Sequence, residues 1–440
     1  MPRQTPIDPP RVSRRSVLAA GAAALGACMC ASCNRPLARN PNHLEFWSFF
    51  GGECTSDVLQ HYWKNVASAF MQQHRGAEIA VAAEIPYGHY MSVLGTRFIG
   101  QNAPDVMVLD DAAVFELAEE GLLLPLDEFI RRDPTFRNTD FVPSMVSDAH
   151  LNGKQYSVPL SGSSVDLVYR SDLFESNKLS PPQTWQDVLH ACAALRSQGV
   201  RYPLALEPLE PFYVINFIWQ NGGQVLSDDQ RTVTLATPQA LAGLQFVHDL
   251  IHKYEFVDPA AVLGTKPREL WGSGSAAMLM DGSFLLWRYD EMFPHLAQKW
   301  DVVPLPAGRL AQSFFGGKHL AIKHDCRAPE LAWDFVSLAA STPWQMRLTE
   351  MTGIIAANMK TLELPEFRSK FPRLSVIRAS AFTGRNTPQI TFFRKLWYDV
   401  FRNTVLDKVM PDPHADIPKA IAAALPAMQA IVDDHWQQRG

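Results

Sequence analysis

Apolar and polar positions along the chain switch repeatedly between strand-like and helix-like spacing. Residues 44–50 form a β-rich run closed by Gly51-Gly52, and a helical pattern covers 57–73. Residues 79–85 read as the next strand. Residues 105–109 are short and almost wholly apolar, as a strand buried on both faces of a parallel sheet requires. They feed a predicted helix over 112–121, ended by Gly121.

A second set follows. Residues 165–169 read as a strand, and Thr184 with Asp187 makes a near capping box at the start of a helix. Thr237-Pro238 opens another, whose apolar face is Leu241, Leu244, Val247 and Ile251. Residues 276–280 are a buried strand stopped by Asp281-Gly282. The proline-spaced stretch 301–306 and the pair Gly316-Gly317 are expected to precede a strand at 320–323, and a helix is expected over 329–340. Trp185, Trp219, Trp271, Trp333 and Trp397 fall in helix-like stretches and read as packing, whereas Trp47 suits either core or cleft floor. Repeating β-α units predict an α/β fold with parallel sheets and ligands at the carboxyl ends of the strands.

Length and composition narrow the class. A chain of 440 residues exceeds one ordinary core and suits two lobes. At 47% apolar and 19% charged, bulk disorder is ruled out. The net charge is −5, and no Lys/Arg block follows Arg15, so the footprint of a nucleic-acid binder is missing. The front end has its own pattern: Arg3, Arg11, Arg14 and Arg15 against Asp8, then an uncharged run over 17–27. It reads as an export signal. Ser13-Arg14-Arg15-Ser16-Val17-Leu18 fits the twin-arginine pattern. Leu25-Gly26-Ala27-Cys28 resembles a lipobox, which implies acylation of Cys28; an unlipidated signal with chance cysteines is the alternative. Residues 1–27 are thus expected to be a signal peptide and 28–43 a lipidated tether. Losing the signal's net +3 leaves a body of −8, which anionic headgroups repel, so acyl chains would hold it to the membrane. Cys30 and Cys33 lack the second pair of a zinc site, and Cys54, Cys192 and Cys326 read as buried small hydrophobes.

Four stretches in this order resemble a known family: Pro104-Asp105-Val106-Met107-Val108-Leu109-Asp110 with residues 117–126; Gly153-Lys154-Gln155-Tyr156-Ser157-Val158-Pro159 with 169–174; Glu210-Pro211-Phe212 with Asn221-Gly222-Gly223; and residues 274–282. The chain resembles the family 1 extracellular solute-binding proteins of ABC importers, the group that contains maltose-binding and other sugar-binding proteins. The resemblance implies a two-lobe α/β periplasmic-binding-protein fold with a central cleft. Lobe 1 would be 44–160 with 304–352, and lobe 2 would be 161–303 with 353–440. Crossovers are expected near Pro159, over 301–306 and after Gly353. It further implies a monomeric, extracytoplasmic, lipid-anchored binder of a carbohydrate, an amino sugar or small oligosaccharide included, that serves membrane permease subunits. No metal, cofactor or catalytic residue is expected.

A sugar needs carboxylates or amides at its edge and rings against its faces. Glu53, at the end of the first strand, and Asp110 and Asp111, at the end of the 106–109 strand, are the candidate acids; either of the latter two could instead cap the next helix. Phe212 and Phe284 fall where maltose-type relatives stack aromatics, and Gly282 and Ser283 adjoin the second. Ser163 and Ser164 stand where such relatives use an acid, which departs from a linear-glucan pattern. Gly317 and Lys318 are candidates through close backbone approach, and Arg385, with Asn386, as an edge donor. The runner-up ligand is a glycerophosphodiester or glycerol phosphate, held by Arg385 and Lys318. An exported glycoside hydrolase using Glu53 with Asp110 or Asp111 is the remaining alternative.

Overall fold

The computed structural model describes residues 42–50, 56–263 and 266–438. Glu53, Cys54, Cys28, Cys30, Cys33, the signal stretch and the tether up to residue 41 lie outside them. Among the described residues there are eleven strands: β1 (His43–Phe50), β2 (Glu78–Pro86), β3 (Val106–Asp110), β4 (His150–Leu151), β5 (Lys154–Gln155), β6 (Ser157–Tyr169), β7 (Leu204–Ala205), β8 (Met278–Gly282), β9 (Asp301–Pro304), β10 (Ser313–Ile322) and β11 (Gly384–Arg385). β4 and β5 form a small antiparallel pair. The others form one sheet in the order β2-β1-β3-β10-β6-β8-β7, with β9 on β6 and β11 on β10.

The sheet is mixed, which corrects the expectation of parallel sheets. β1 pairs with β2 and β3 in parallel, but β10 runs antiparallel to both β3 and β6, and β6 antiparallel to β8 and β9. The β-α rhythm with parallel pairing holds for the first three strands and again for β7 and β8. β10 returns late in the chain between β3 and β6, and a returning strand is free to run the other way.

Two expectations about strand limits also change. Gly316 and Gly317 lie inside β10, not ahead of it. Here absence of a side chain serves packing: a Cβ on Gly317 would run into the Ser161 carbonyl oxygen of β6. Likewise β6 begins at Ser157, well before Val165, because its two ends pair with different strands. Residues up to Ser164 face β10, where Ser164 opposes Phe315; from Val165, which opposes Gly282, the strand lies between β8 and β9.

The helices follow their sequence signals closely. Ser56–Gln73, Asp111–Glu119 and Pro329–Ala340 match the expected spans. Thr184 and Asp187 complete a reciprocal capping box on Trp185–Ser197, and Thr237 caps Pro238–His252. Each such cap satisfies N–H groups that the helix leaves open and contributes about 1 kcal/mol.

Burial gathers into two apolar clusters. One surrounds β1, β3 and β10, with Phe46, Trp63, Phe70 and Phe335 at its heart; it also takes Trp271, Tyr289, Trp300 and Phe367. The other lies under the far half of β6 and holds Trp219, Leu244, Trp397, Phe401 and Met428. Trp219, Trp271, Trp333 and Trp397 are buried, and Trp47 joins the core with its indole N–H donated to Glu45. Cys192 is buried and Cys326 half-buried, both as free thiols. No described helix is long and apolar enough to cross a membrane.

Candidate functional site

A cavity of about 570 Å³ opens where β3, β10 and β6 approach the segment that follows β11. Its size and mixed lining are those of a small-molecule site. Of the residues singled out from sequence, Asp110, Asp111, Ser163, Phe212, Phe284, Gly317, Lys318 and Asn386 line it. The structure adds Tyr87, Glu116, Phe314, Phe393, Arg394 and Tyr398.

The two acids at the end of β3 have separate duties. Asp110 Oδ1 accepts the Ala113 N–H at 2.9 Å and caps the Asp111–Glu119 helix, while Oδ2 accepts the Tyr87 hydroxyl at 2.9 Å. That places a phenol ring on the cavity wall. Burial, together with the Asp110 charge, pushes the Tyr87 phenol up to about 12, against the opposing pull of Lys318. The Lys318 ammonium sits 4.8 Å from the Tyr87 ring centre and 5.4 Å from that of Phe49, a cation–π arrangement.

Asp111 turns inward. Its Oδ2 accepts the Gly317 N–H at 2.7 Å, and Oδ1 accepts the His319 Nε2–H at 2.7 Å. Asn386 also bonds it, and Asn386 Nδ2 donates to Asp148 Oδ2 at 2.9 Å. Burial alone would raise the Asp111 carboxyl, but His319, Gly317 and Asn386 outweigh it and hold the group below the usual carboxylate range. Asp148 moves the other way, raised by burial and by the Asp111 charge. Beyond His319, its Nδ1 meets Ser157 Oγ at 3.0 Å. The residue types are those of a hydrolytic triad, but Ser157 and His319 have no exposed surface, so no substrate carbonyl reaches that hydroxyl. The chain Ser157–His319–Asp111–Asn386 ties the sheet to the segment after β11.

Rings supply much of the remaining wall. Phe212 meets Phe314 edge-on at 4.4 Å, and the Arg268 guanidinium lies 5.5 Å from the Phe284 ring centre. Gly282 makes room for the Phe284 ring, which a Cβ there would strike.

Four of the sequence candidates do not line this cavity. Ser283 Oγ accepts the Ser164 N–H at 2.9 Å, and the Ser164 hydroxyl is donated to buried Asp166. Gly282 pairs with Val165 in the sheet. Arg385 pairs with Phe314 through β11 and lays its guanidinium 4.7 Å from the Trp219 ring centre. Among the described residues, no group of three His, Cys, Asp or Glu side chains could hold a metal ion.

Of the residues that sequence reasoning passed over, Tyr87 had a signal: Pro86-Tyr87 ends β2 on the same side of the sheet as Asp110 ends β3. Glu116 and Arg394 had none, because each looks like an ordinary helix-surface charge.

The model of the bacterial extracellular solute-binding protein family matches residues 56–346. A binding protein of Brucella abortus (strain 2308) is 23% identical over 312 residues, covering 69% of this chain and 74% of its own. The maltotriose-binding protein of Pyrococcus abyssi is 21% identical over 323 residues, covering 71% and 67%. Among solved structures, the sugar-binding protein MalE of Xanthomonas citri superposes with a TM-score of 0.80 at 20% identity, over 90% of this chain and 98% of that one. At that identity the likeness shows the fold, which is the two-lobe α/β fold of periplasmic binding proteins.

Proposed function

The chain belongs to the bacterial extracellular solute-binding proteins, and from that premise we propose that it captures a carbohydrate in this cavity and delivers it unchanged to the permease of an ABC importer. The observation that carries the reading is the lining: rings from Tyr87, Phe212, Phe284, Phe314, Phe393 and Tyr398 stand among carboxylates and cations. Sugars present C–H faces to rings and hydroxyls to charged groups, and each hydrogen bond to a charged group contributes about 1.5–3 kcal/mol. The Pyrococcus relative, named for maltotriose, supports the same class. The lobe limits read from sequence, a monomeric state, twin-arginine export and a lipid anchor at Cys28 complete the proposal. The anchor keeps the binder beside its permease, and two acyl chains would make it durable. Catalysis has no part in it.

The test is thermal unfolding of the mature chain with maltotriose, arabinotriose, D-tagatose and sn-glycerol 3-phosphate, followed by chromatography of the sugar. The expected result is a rise in Tm with a carbohydrate, since a ligand at a hundred times its Kd adds about 2.7 kcal/mol, and recovery of the sugar intact. No rise with any of the sugars, or cleavage of one, would overturn the reading. A rise with the phosphate alone would favour the glycerol-phosphate alternative. Arg385 serves that alternative poorly, because its guanidinium lies on Trp219.

A further inference from the structure

Most charges in the cavity wall are already engaged. Asp110 caps a helix and holds Tyr87, Asp111 is bonded on both oxygens, and Lys318 lies over two rings. Two lining charges differ. Glu116 projects from the Asp111–Glu119 helix and is half-buried, and among the described residues its carboxylate has no hydrogen bond or ion pair. Arg394, which directly precedes the Lys395–Leu406 helix, also lines the cavity; its guanidinium has only the Tyr398 ring, 5.8 Å away, as a contact among those residues.

The two feel each other without touching. Burial raises the Glu116 carboxyl, Asp110 raises it further, and Arg394 pulls it back. They are nevertheless outside ion-pair distance. A half-buried carboxylate without donors is costly, and so is a guanidinium left without acceptors once the cavity is filled. Glu116 only accepts and Arg394 only donates, whereas a sugar hydroxyl does both. A pair of neighbouring hydroxyls set between them satisfies both at once. A cationic ligand would meet Arg394 and Lys318, and an anionic one Glu116 and Asp110.

We propose that Glu116 and Arg394 are the specificity pair of the cavity, gripping adjacent hydroxyls of an uncharged sugar and discriminating against amine- and acid-bearing analogues. The proposal rests on the carbohydrate reading and sharpens it to neutral sugars.

The experiment is calorimetric titration of the mature chain and its variants with four probes: maltotriose and arabinotriose (neutral), the glucosamine trimer of chitosan (cationic) and trigalacturonate (anionic). The wild-type chain should bind a neutral probe most tightly. Glu116→Gln should weaken that probe about 10-fold or more and move preference towards trigalacturonate. Arg394→Gln should weaken it similarly and move preference towards the glucosamine trimer. Equal losses across all probes in both variants, or no loss, would overturn the proposal and leave the carbohydrate reading standing. So would a wild-type chain that prefers a charged trimer. Binding of none of the four would strike the carbohydrate reading itself, and the proposal with it.

Discussion

Two acids close strands in the two halves of the sheet, and their surroundings differ in kind. Asp281, in β8, accepts a bidentate Arg268 pair at 2.5 Å, the Tyr213 hydroxyl at 2.9 Å, the Tyr289 hydroxyl and the Gly282 N–H. It is buried, and none of its partners lines the cavity. Asp111, just past β3, is also buried but bonds a backbone N–H of β10, a core histidine and an asparagine of the segment after β11, and the cavity reaches it. Position at a strand's end therefore does not separate scaffold from site. What separates them is whether the cavity reaches the acid and any of its partners.

Removing one member of a buried ion pair strands the other, so Asp281→Ala should break its region most severely. A loss of about 3–5 kcal/mol is expected, read from urea unfolding; a loss below about 1 kcal/mol would mean that Arg268 finds water readily.

A third strand acid sharpens the contrast by lacking a cation. Asp166 on β6 is buried and, among the described residues, its carboxylate receives only the hydroxyls of Ser164 and Ser380. Burial pushes its carboxyl up to about 6, beyond what the two hydroxyls recover. A raised native value means that the folded state holds its proton longer than the unfolded chain. The resulting stability is full below about pH 4 and lost as pH rises to about 6, on the order of 3 kcal/mol. Carboxyls held low, such as Asp111, act in the opposite direction, so the readout is the difference between wild type and Asp166→Asn in urea midpoints over this window. Parallel profiles would contradict the burial argument.

Asp111→Asn should cost less, about 2 kcal/mol, because the amide oxygen still accepts one of the bonds. Unlike Asp281→Ala, it should also weaken carbohydrate binding, since Asn386 and Gly317 at the cavity lose their anchor; calorimetry separates the two effects. Ser157→Ala, at the far end of the same chain, should cost about 1 kcal/mol and leave affinity unchanged. A drop in affinity there would show that the cavity senses the whole chain of bonds.

Much of this was legible where local chemistry decides. The Thr184–Asp187 box, the helix opened by Pro329 and the apolar β3 follow from short-range rules, and the reading of an acid near β3 as a helix cap holds for Asp110. Topology was less legible. Gly316-Gly317 look like strand breakers until Ser161 is placed beside them, which only tertiary pairing does. In the site, strand ends and resemblance pointed to Asp110, Asp111 and Phe212, but nothing local distinguishes Glu116 from its helix neighbours Glu119 and Glu120. Part of the cavity wall is contributed by a segment far along the chain, and a sequence carries no mark of which charges will lack partners once it folds.

β6 belongs to both halves of the sheet without interruption, exchanging neighbours at Ser164–Val165. It therefore works like a torsion bar. Rotation of one half against the other would twist β6 about this junction, where the Ser164 N–H is held by the Ser283 hydroxyl. Releasing that one serine hydroxyl would remove a restraint from the joint between the two halves.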